Sequence, residues 1–301
     1  MFAEYLPFTI KYLYHIIIGI VSFILLKKFF EHSVERTVQS GTSILTEEST
    51  ESSESNVVAD IFTYTRLNER SFEVEPALPH DLKHIPYYNV RKSKKELLAR
   101  ASEFYRIAAA RRTLRFFSDD PVPKEVIREL IKAAGTAPSG AHTEPWTFIA
   151  ISDPTTKSNI RDIVEQEEEI NYKKRMSIKW TTDLSPLRTN WIKEYLTTAP
   201  YLILVFKQTY GILPNGQRKI HYYHELSVSI ACGILITAIQ YTGLVTLTST
   251  PMNCGPAIRN ILGRPSNEKL VLLLPVGYPA KDATVPDLQR KDLTEILVEI
   301  D

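Results

Sequence analysis

The run from Tyr12 to Leu26 contains no Asp, Glu, Lys or Arg, and an apolar stretch of that length has to be buried in protein or in lipid. Counting back to Phe2 admits only Glu4 and Lys11. That makes a span of roughly 20 residues, long enough to cross a bilayer with Lys11 reaching towards one interface. Lys27, Lys28, Phe29 and Phe30 follow where a cleaved leader would show small residues, so residues 1–32 are expected to be an uncleaved anchor. Lys27 and Lys28 place the following domain on the cytoplasmic side of a single-pass protein. Residues 33–89 change character. Thr46-Glu47-Glu48-Ser49-Thr50-Glu51-Ser52-Ser53-Glu54-Ser55 is acidic and hydroxyl-rich, cannot bury enough surface to order itself, and reads as a solvated linker.

Residues 90–301 must therefore carry the core. With 301 residues, 44% hydrophobic and 24% charged, the chain can build one full-sized domain and still leave a tail. A net charge of +1 supplies no basic field for binding nucleic acid, which is excluded as an expected partner. Cys232 and Cys254 stand in no zinc or disulfide spacing. Cys232, inside the apolar run Ile230 to Ile239, reads as a small buried hydrophobe in a thiol-reduced compartment. His221 and His224 with Glu225 make a weak metal pattern that no further His or Cys supports.

Apolar spacing predicts a helix over Lys94–Arg112 and another beginning at Pro123 and stopping at Gly135. A buried strand follows at Trp146–Ile151. Asp153-Pro154 opens a third helix that carries the charged stretch Glu165 to Arg175. Strands are expected at Tyr201–Phe206, Leu244–Thr248 and Leu270–Val276, with a long helix Glu225–Tyr241 closed by Gly243. That helix is apolar nearly all round, so it is buried in the core or against a second subunit. Helices and strands mix through one body, α/β or α+β.

Two segments carry the chemistry. Arg111-Arg112-Thr113-Leu114-Arg115 places three planar, permanently charged forks within five residues, a composition suited to a phosphate, although alone it would pass as a basic surface. Gly135-Thr136-Ala137-Pro138-Ser139-Gly140-Ala141-His142-Thr143-Glu144-Pro145-Trp146 is a loop of small residues whose backbone can approach a flat ligand.

These segments, with Glu-Glu-Glu-Ile-Asn-Tyr, Arg-Thr-Asn-Trp-Ile-Lys-Glu-Tyr-Leu, Thr-Pro-Met-Asn-Cys-Gly-Pro and Leu-Pro-Val-Gly-Tyr-Pro in the same order, resemble the iodotyrosine deiodinase family of the nitroreductase superfamily from Arg111 to the C-terminus. The resemblance implies an α+β nitroreductase-like fold: a central mixed sheet flanked by helices, in an intertwined homodimer whose sites use both chains. It implies non-covalent FMN, with Arg111, Arg112, Thr113, Leu114, Arg115 and Arg290 about its phosphate and polar edge, Pro138 and Ser139 beside the ring system, and Thr248, Ser249 and Thr250 on a strand-end segment. Thr250 would take the catalytic role, donating to flavin N5 and favouring one-electron steps. Glu168 would bind the α-ammonium of a halotyrosine, Lys193 and Tyr172 its α-carboxylate, and the Ala141 backbone N–H its phenolate. The segment bearing Glu168 and Tyr172 is implied to close as a lid.

The implied activity is reductive removal of iodide from mono- and diiodotyrosine, using electrons derived from NADPH. No nicotinamide fingerprint is visible, so a partner reductase is expected. A general nitro or quinone reductase is the alternative; it would share the arginine cluster and the Pro138 loop without needing Glu168, Tyr172 and Lys193 together. Thr113 stands where many relatives have Ser, which keeps the hydroxyl. Pro186 falls in the presumed lid and would stiffen it.

Overall fold

The computed structural model describes Pro76 and residues 78–300; the expected anchor and most of the expected linker lie outside them. Four strands form the main sheet: β1 (Trp146–Ile151), β2 (Tyr201–Gln208), β5 (Val245–Thr246) and β6 (Glu268–Gly277), in the order β1-β2-β6-β5. All three pairings are antiparallel. The parallel component of the expected mixed sheet is one bridge, Thr113 to Thr246. A small hairpin, β3 (Gly211–Ile212) and β4 (Arg218–Lys219), stands apart.

Eight α-helices occur among the described residues: α1 (Lys94–Ala110), α2 (Lys124–Ala134), α3 (Pro154–Ile170), α4 (Ile178–Leu184), α5 (Tyr195–Thr198), α6 (His224–Tyr241), α7 (Gly255–Ile261) and α8 (Leu293–Ile296). The α2 and α3 starts follow the expected chemistry. Pro123 precedes α2, and the Asp153 side chain accepts from Thr156 N at the head of α3. Gly243 ends α6 with φ +80°, a conformation that costs glycine nothing and other residues a great deal.

β2 runs through the middle with Leu202, Ile203, Leu204, Val205 and Phe206 all sealed from solvent. Alternate residues feed opposite faces of the sheet. Leu202, Leu204 and Phe206 pack with Ile160 and Val164 of α3 and Ile258 of α7, while Ile203 and Val205 pack with Ile127 and Leu130 of α2 and Leu235 and Ile239 of α6. A β-strand covered on both faces explains the unbroken apolar run. Cys232 lies in the second of these cores, as a small hydrophobe would, and burial pushes its thiol up to about 11.

Among the described residues α6 alone is long and apolar enough to cross a membrane, but its buried face packs on the sheet and on α2. Its other face is bare. Leu226, Ile230 and Tyr241 are exposed, and α1 beside it buries no residue while exposing Leu97, Leu98, Phe104 and Tyr105. Several differences from expectation are local. The strand expected over Leu244–Thr248 pairs regularly only at Val245 and Thr246 and then continues as a bridge from Ser249 to Leu273. α3 ends at Ile170, where a π turn, Asn171–Arg175, takes over.

Glu268, at the head of β6, is 2% exposed and receives two hydrogen bonds from Arg264, each 2.8 Å, and one from the Thr147 hydroxyl at 2.7 Å. Burial raises its pKa, but these donors outweigh burial and hold it below the ordinary 4.5. A depressed carboxyl pKa stabilises the fold above the unfolded value, and that contribution is lost as pH falls through the folded one. Glu268→Gln is thus expected to cost about 1–3 kcal/mol in urea unfolding at neutral pH. The gap from the parent protein should close below the ordinary carboxyl range.

Candidate active site

α3 presents one continuous stripe to the core: Lys157, Ile160, Val164 and, past the last α-turn, Asn171. Beside that stripe stands Glu168, whose side chain keeps 15% of its exposure. The π turn then swings Tyr172 over the same region; a wide turn inserted in a helix re-aims side chains and is often found at functional sites. The chain continues through α4 and a short 3-10 turn, Ser185–Leu187, with Pro186 in its first turn. It returns at Trp191 and Lys193, which close over Glu168.

Lys193 is 6% exposed. Its ammonium donates to the Asn190 carbonyl, stands 4.0 Å from Glu168 Oε2 and lies 5.5 Å from the centroid of the Tyr172 ring. Tyr172 meets Trp191 edge-on at 6.1 Å and its phenol reaches Thr189. Glu168 and Tyr172, predicted from one block of sequence, and Lys193, predicted from another, are thereby brought together.

Burial lowers the Lys193 pKa; Glu168 and Glu165 oppose that, and Arg115 adds to it. The Tyr172 pKa is raised, chiefly by burial. Two cations, Arg115 and Lys193, thus face a partly dry space in which Glu168 is the carboxylate at the Lys193 ammonium. Such a space favours an anion.

Arg115 connects the cluster to the other predicted group. The 111–115 segment lies along β5, with Leu114 N donating to the Thr246 carbonyl. Ser249 is hydrogen-bonded to Leu273 in both directions, at 3.1 and 2.9 Å, and its side chain meets the buried Tyr195 phenol. Thr248 and Thr250 flank it on the exposed side. Arg112 donates to the Pro286 carbonyl, and Arg290 to the carbonyls of Ala109 (2.9 Å) and Arg111 (3.0 Å), so both brace the backbone of the arginine segment. Among the described residues neither Arg111 nor Arg115 pairs with a carboxylate, although both are half-buried. Guanidinium groups left in that state fit a phosphorylated, partly anionic cofactor.

Pro138, Ser139 and Ala141 lie elsewhere in the same chain. Their loop enters β1 at Trp146, and β1 and β5 are opposite edges of the sheet. At about 4.8 Å per strand the two edges are roughly 14 Å apart. The loop is under backbone strain: Ala141, His142 and Glu144 have φ of 49°, 51° and 48°. It is held by Glu144 N donating to Ser139 Oγ (2.9 Å) and Lys219 Nζ to the Thr143 carbonyl (3.3 Å). Gly140 seats against Tyr222, whose carbonyl would lie 2.7 Å from any added Cβ. Among the described residues the Ala141 N–H has no acceptor, which leaves it available to a ligand oxygen.

Three residues of the cluster escaped the sequence reading. Asn171 is fully buried and donates to Glu168; Glu165 accepts from the Lys193 backbone N–H at 2.6 Å and pairs with Arg161 at 2.7 Å; Tyr195 meets Ser249. A signal existed for Asn171, which continues the Ile160–Val164 stripe at helical spacing with a polar side chain. Cys254 and His221 add nothing to the cluster's ligand set. The first is pushed up to about 12 by burial, and the second, buried with both ring nitrogens unpartnered, is lowered to about 4.

The nitroreductase family profile matches residues 108–278. The chain is 60% identical over 236 residues to iodotyrosine deiodinase of Danio rerio, covering 78% of this chain and 80% of that one. It is 61% identical over 219 residues to iodotyrosine deiodinase 1 of Mus musculus, covering 73% and 77%. Among solved structures it is similar to oxidized iodotyrosine deiodinase bound to FMN and 3-iodo-L-tyrosine, with a TM-score of 0.57, 30% identity, and coverage of 66% of this chain and 98% of that one.

Since Glu168 is the first influence opposing the drop in the Lys193 pKa, Glu168→Gln is expected to move the Lys193 titration to lower pH. Lysine-labelled NMR reads this directly. An unmoved midpoint would mean that Glu168 does not act on the ammonium.

Proposed function

The chain belongs to the nitroreductase family and, within it, to the iodotyrosine deiodinases, and from that membership we propose that it reductively removes iodide from mono- and diiodotyrosine, giving tyrosine. The observation that carries this reading is the convergence of Glu168, Tyr172 and Lys193 in one half-dry cluster beside Arg115. An amino-acid zwitterion supplies the charges that cluster lacks. Its ammonium matches Glu168, and its carboxylate matches Lys193 and the Tyr172 hydroxyl. A nitroaromatic or a quinone has no use for the three together.

FMN is the cofactor, and it supplies the electrons when bound. Arg111 and Arg115, without a carboxylate partner among the described residues, are suited to its anionic parts, with Arg112 and Arg290 bracing their segment and Thr113 and Leu114 holding that segment along β5. Thr248, Ser249 and Thr250 line the opposite side, with the exposed Thr250 supplying a hydroxyl donor. Pro138 and Ser139 border the ring system, and the Ala141 N–H receives the substrate phenolate. The segment from Asn171 to Lys193 closes over the substrate and excludes water, which strengthens each of these contacts.

A second copy of the chain completes the site. Two features support this: the separation of the Pro138 loop from the Thr250 edge, and the bare apolar faces of α1 and α6. A two-fold interface would cover those faces and could bring the loop of one copy to the cofactor of the other. The apolar span before Lys27 attaches the protein to a membrane, with the catalytic domain on the cytoplasmic side. An NADPH-linked reductase delivers the electrons.

The test is anaerobic reduction of the FMN-loaded protein followed by 3,5-diiodotyrosine. Flavin reoxidation with stoichiometric iodide supports the reading; reoxidation only by nitroaromatics or quinones overturns it. Lys193→Ala should raise KM for diiodotyrosine about tenfold or more, the loss of one charge-assisted hydrogen bond. Its turnover of a nitroaromatic should be nearly unchanged.

A further inference from the structure

Behind Glu168 stands a residue whose polarity no ligand contact explains. Asn171 follows the last residue of α3 as its C-cap, opens the π turn and has no exposed surface. Its side-chain nitrogen donates both to Glu168 Oε1, at 3.2 Å, and to the Met252 carbonyl, at 3.4 Å. Its side-chain oxygen accepts from Arg175 at 3.0 Å, and its backbone carbonyl from Met176 N at 2.8 Å. The position continues the apolar stripe of Ile160 and Val164, where a hydrophobic residue would pack without desolvation cost. A carboxamide there is justified only by what it bonds.

Its two acceptors belong to opposite halves of the site. Glu168 Oε1 is held by the amide while Oε2 faces Lys193 at 4.0 Å. Met252 is two residues beyond Thr250, and its carbonyl also receives the Cys254 thiol at 3.4 Å. One planar group therefore joins the carboxylate on the closing segment to the backbone that carries Thr250.

We propose that Asn171 is a positioning residue of the halotyrosine site, fixing the rotamer of Glu168 so that Oε2 faces the substrate ammonium and tying that carboxylate to the 250–252 backbone. The proposal rests on the function assigned above. Filling the Glu168 end orders the Thr250 end through a chain of two hydrogen bonds, so recognition of the amino-acid head tightens the segment beside the cofactor.

A double-mutant cycle tests the first half, because a residue acting through Glu168 loses its effect when Glu168 is already compromised. Binding of 3-iodo-L-tyrosine to the FMN-loaded protein is measured by equilibrium dialysis for the parent, Glu168→Gln, Asn171→Leu and the double variant. Asn171→Leu is expected to weaken binding about tenfold in the parent and less than twofold in the Glu168→Gln background. An equal factor in both backgrounds, or a parent effect under twofold, overturns the proposal. Hydrogen exchange tests the second half: 3-iodo-L-tyrosine should slow the amides of 252–254 in the parent protein and not in Asn171→Leu. Equal protection in both also overturns it. Should Asn171→Leu fail to load FMN, Asn171→Asp, which keeps the volume and the acceptor for Arg175, takes its place in both measurements with the same criteria. Failure of the parent protein itself to bind 3-iodo-L-tyrosine is a separate result, and it removes the functional reading and this proposal together.

Discussion

Everything in the site depends on holding the Lys193 ammonium out of water beside a carboxylate that only partly neutralises it. At 4.0 Å the Glu168 pair is too long for a good hydrogen bond, and a buried ion pair of that geometry does not recover the desolvation of its members. The arrangement is therefore poorly explained as a stabilising device. It is better explained by the proposed recognition site, in which Glu168 meets the ammonium and Lys193 the carboxylate of a ligand.

The fold supplies the means of keeping Lys193 there. α3 lies on the β2 core through Ile160 and Val164, which fixes the direction of everything on the neighbouring face. From that face Lys157 donates to the Thr197 and Ala199 carbonyls at 3.1 and 2.8 Å, Arg161 to the Thr197 hydroxyl at 3.0 Å, and Glu165 accepts the Lys193 backbone N–H. Three side chains of one helix thus anchor the returning end of the 171–193 segment. Its free stretch, α4 with exposed Ile178 and Trp180, lacks comparable ties to the core. Such a segment, pinned at its ends with an exposed middle, suits the proposed closure over a substrate with Lys193 held in place.

Much of this was legible in the sequence wherever one residue type had a single plausible structural use. The unbroken apolar run Tyr201–Phe206 reads as a doubly covered strand, Asp153-Pro154 as a helix start, and Gly243 as a helix stop, and each is found in place. The Glu168, Tyr172 and Lys193 set is different: within a stretch of Glu facing Lys it looks like a salt-bridged helix, and only resemblance singles the three out. Glu169 with Lys173 does form the ordinary i,i+4 surface pair that periodicity suggests, while Glu167 reaches Arg175 across the π turn. The π turn was not legible, because one inserted residue leaves no compositional mark, and with it went the role of Asn171. The β3–β4 hairpin, with Pro214-Asn215-Gly216 at its turn, carried a signal that could have been read. The apolar α6 could have faced core or partner; the structure buries one side of it on the sheet and leaves the other bare.

The cluster, on the proposed function, recognises the two charges of an amino acid head. The most direct measurement compares binding of three ligands to the FMN-loaded protein by calorimetry: 3-iodo-L-tyrosine, the iodophenol with its carboxylate removed (3-iodotyramine), and the iodophenol with its ammonium removed (the corresponding phenylpropionate). The account predicts that each truncation weakens binding at least tenfold, and that Glu168→Gln abolishes the discrimination against the ligand lacking the ammonium while leaving the discrimination against the ligand lacking the carboxylate. Equal affinity for all three ligands would contradict it and leave Glu168 and Lys193 as a structural ion pair.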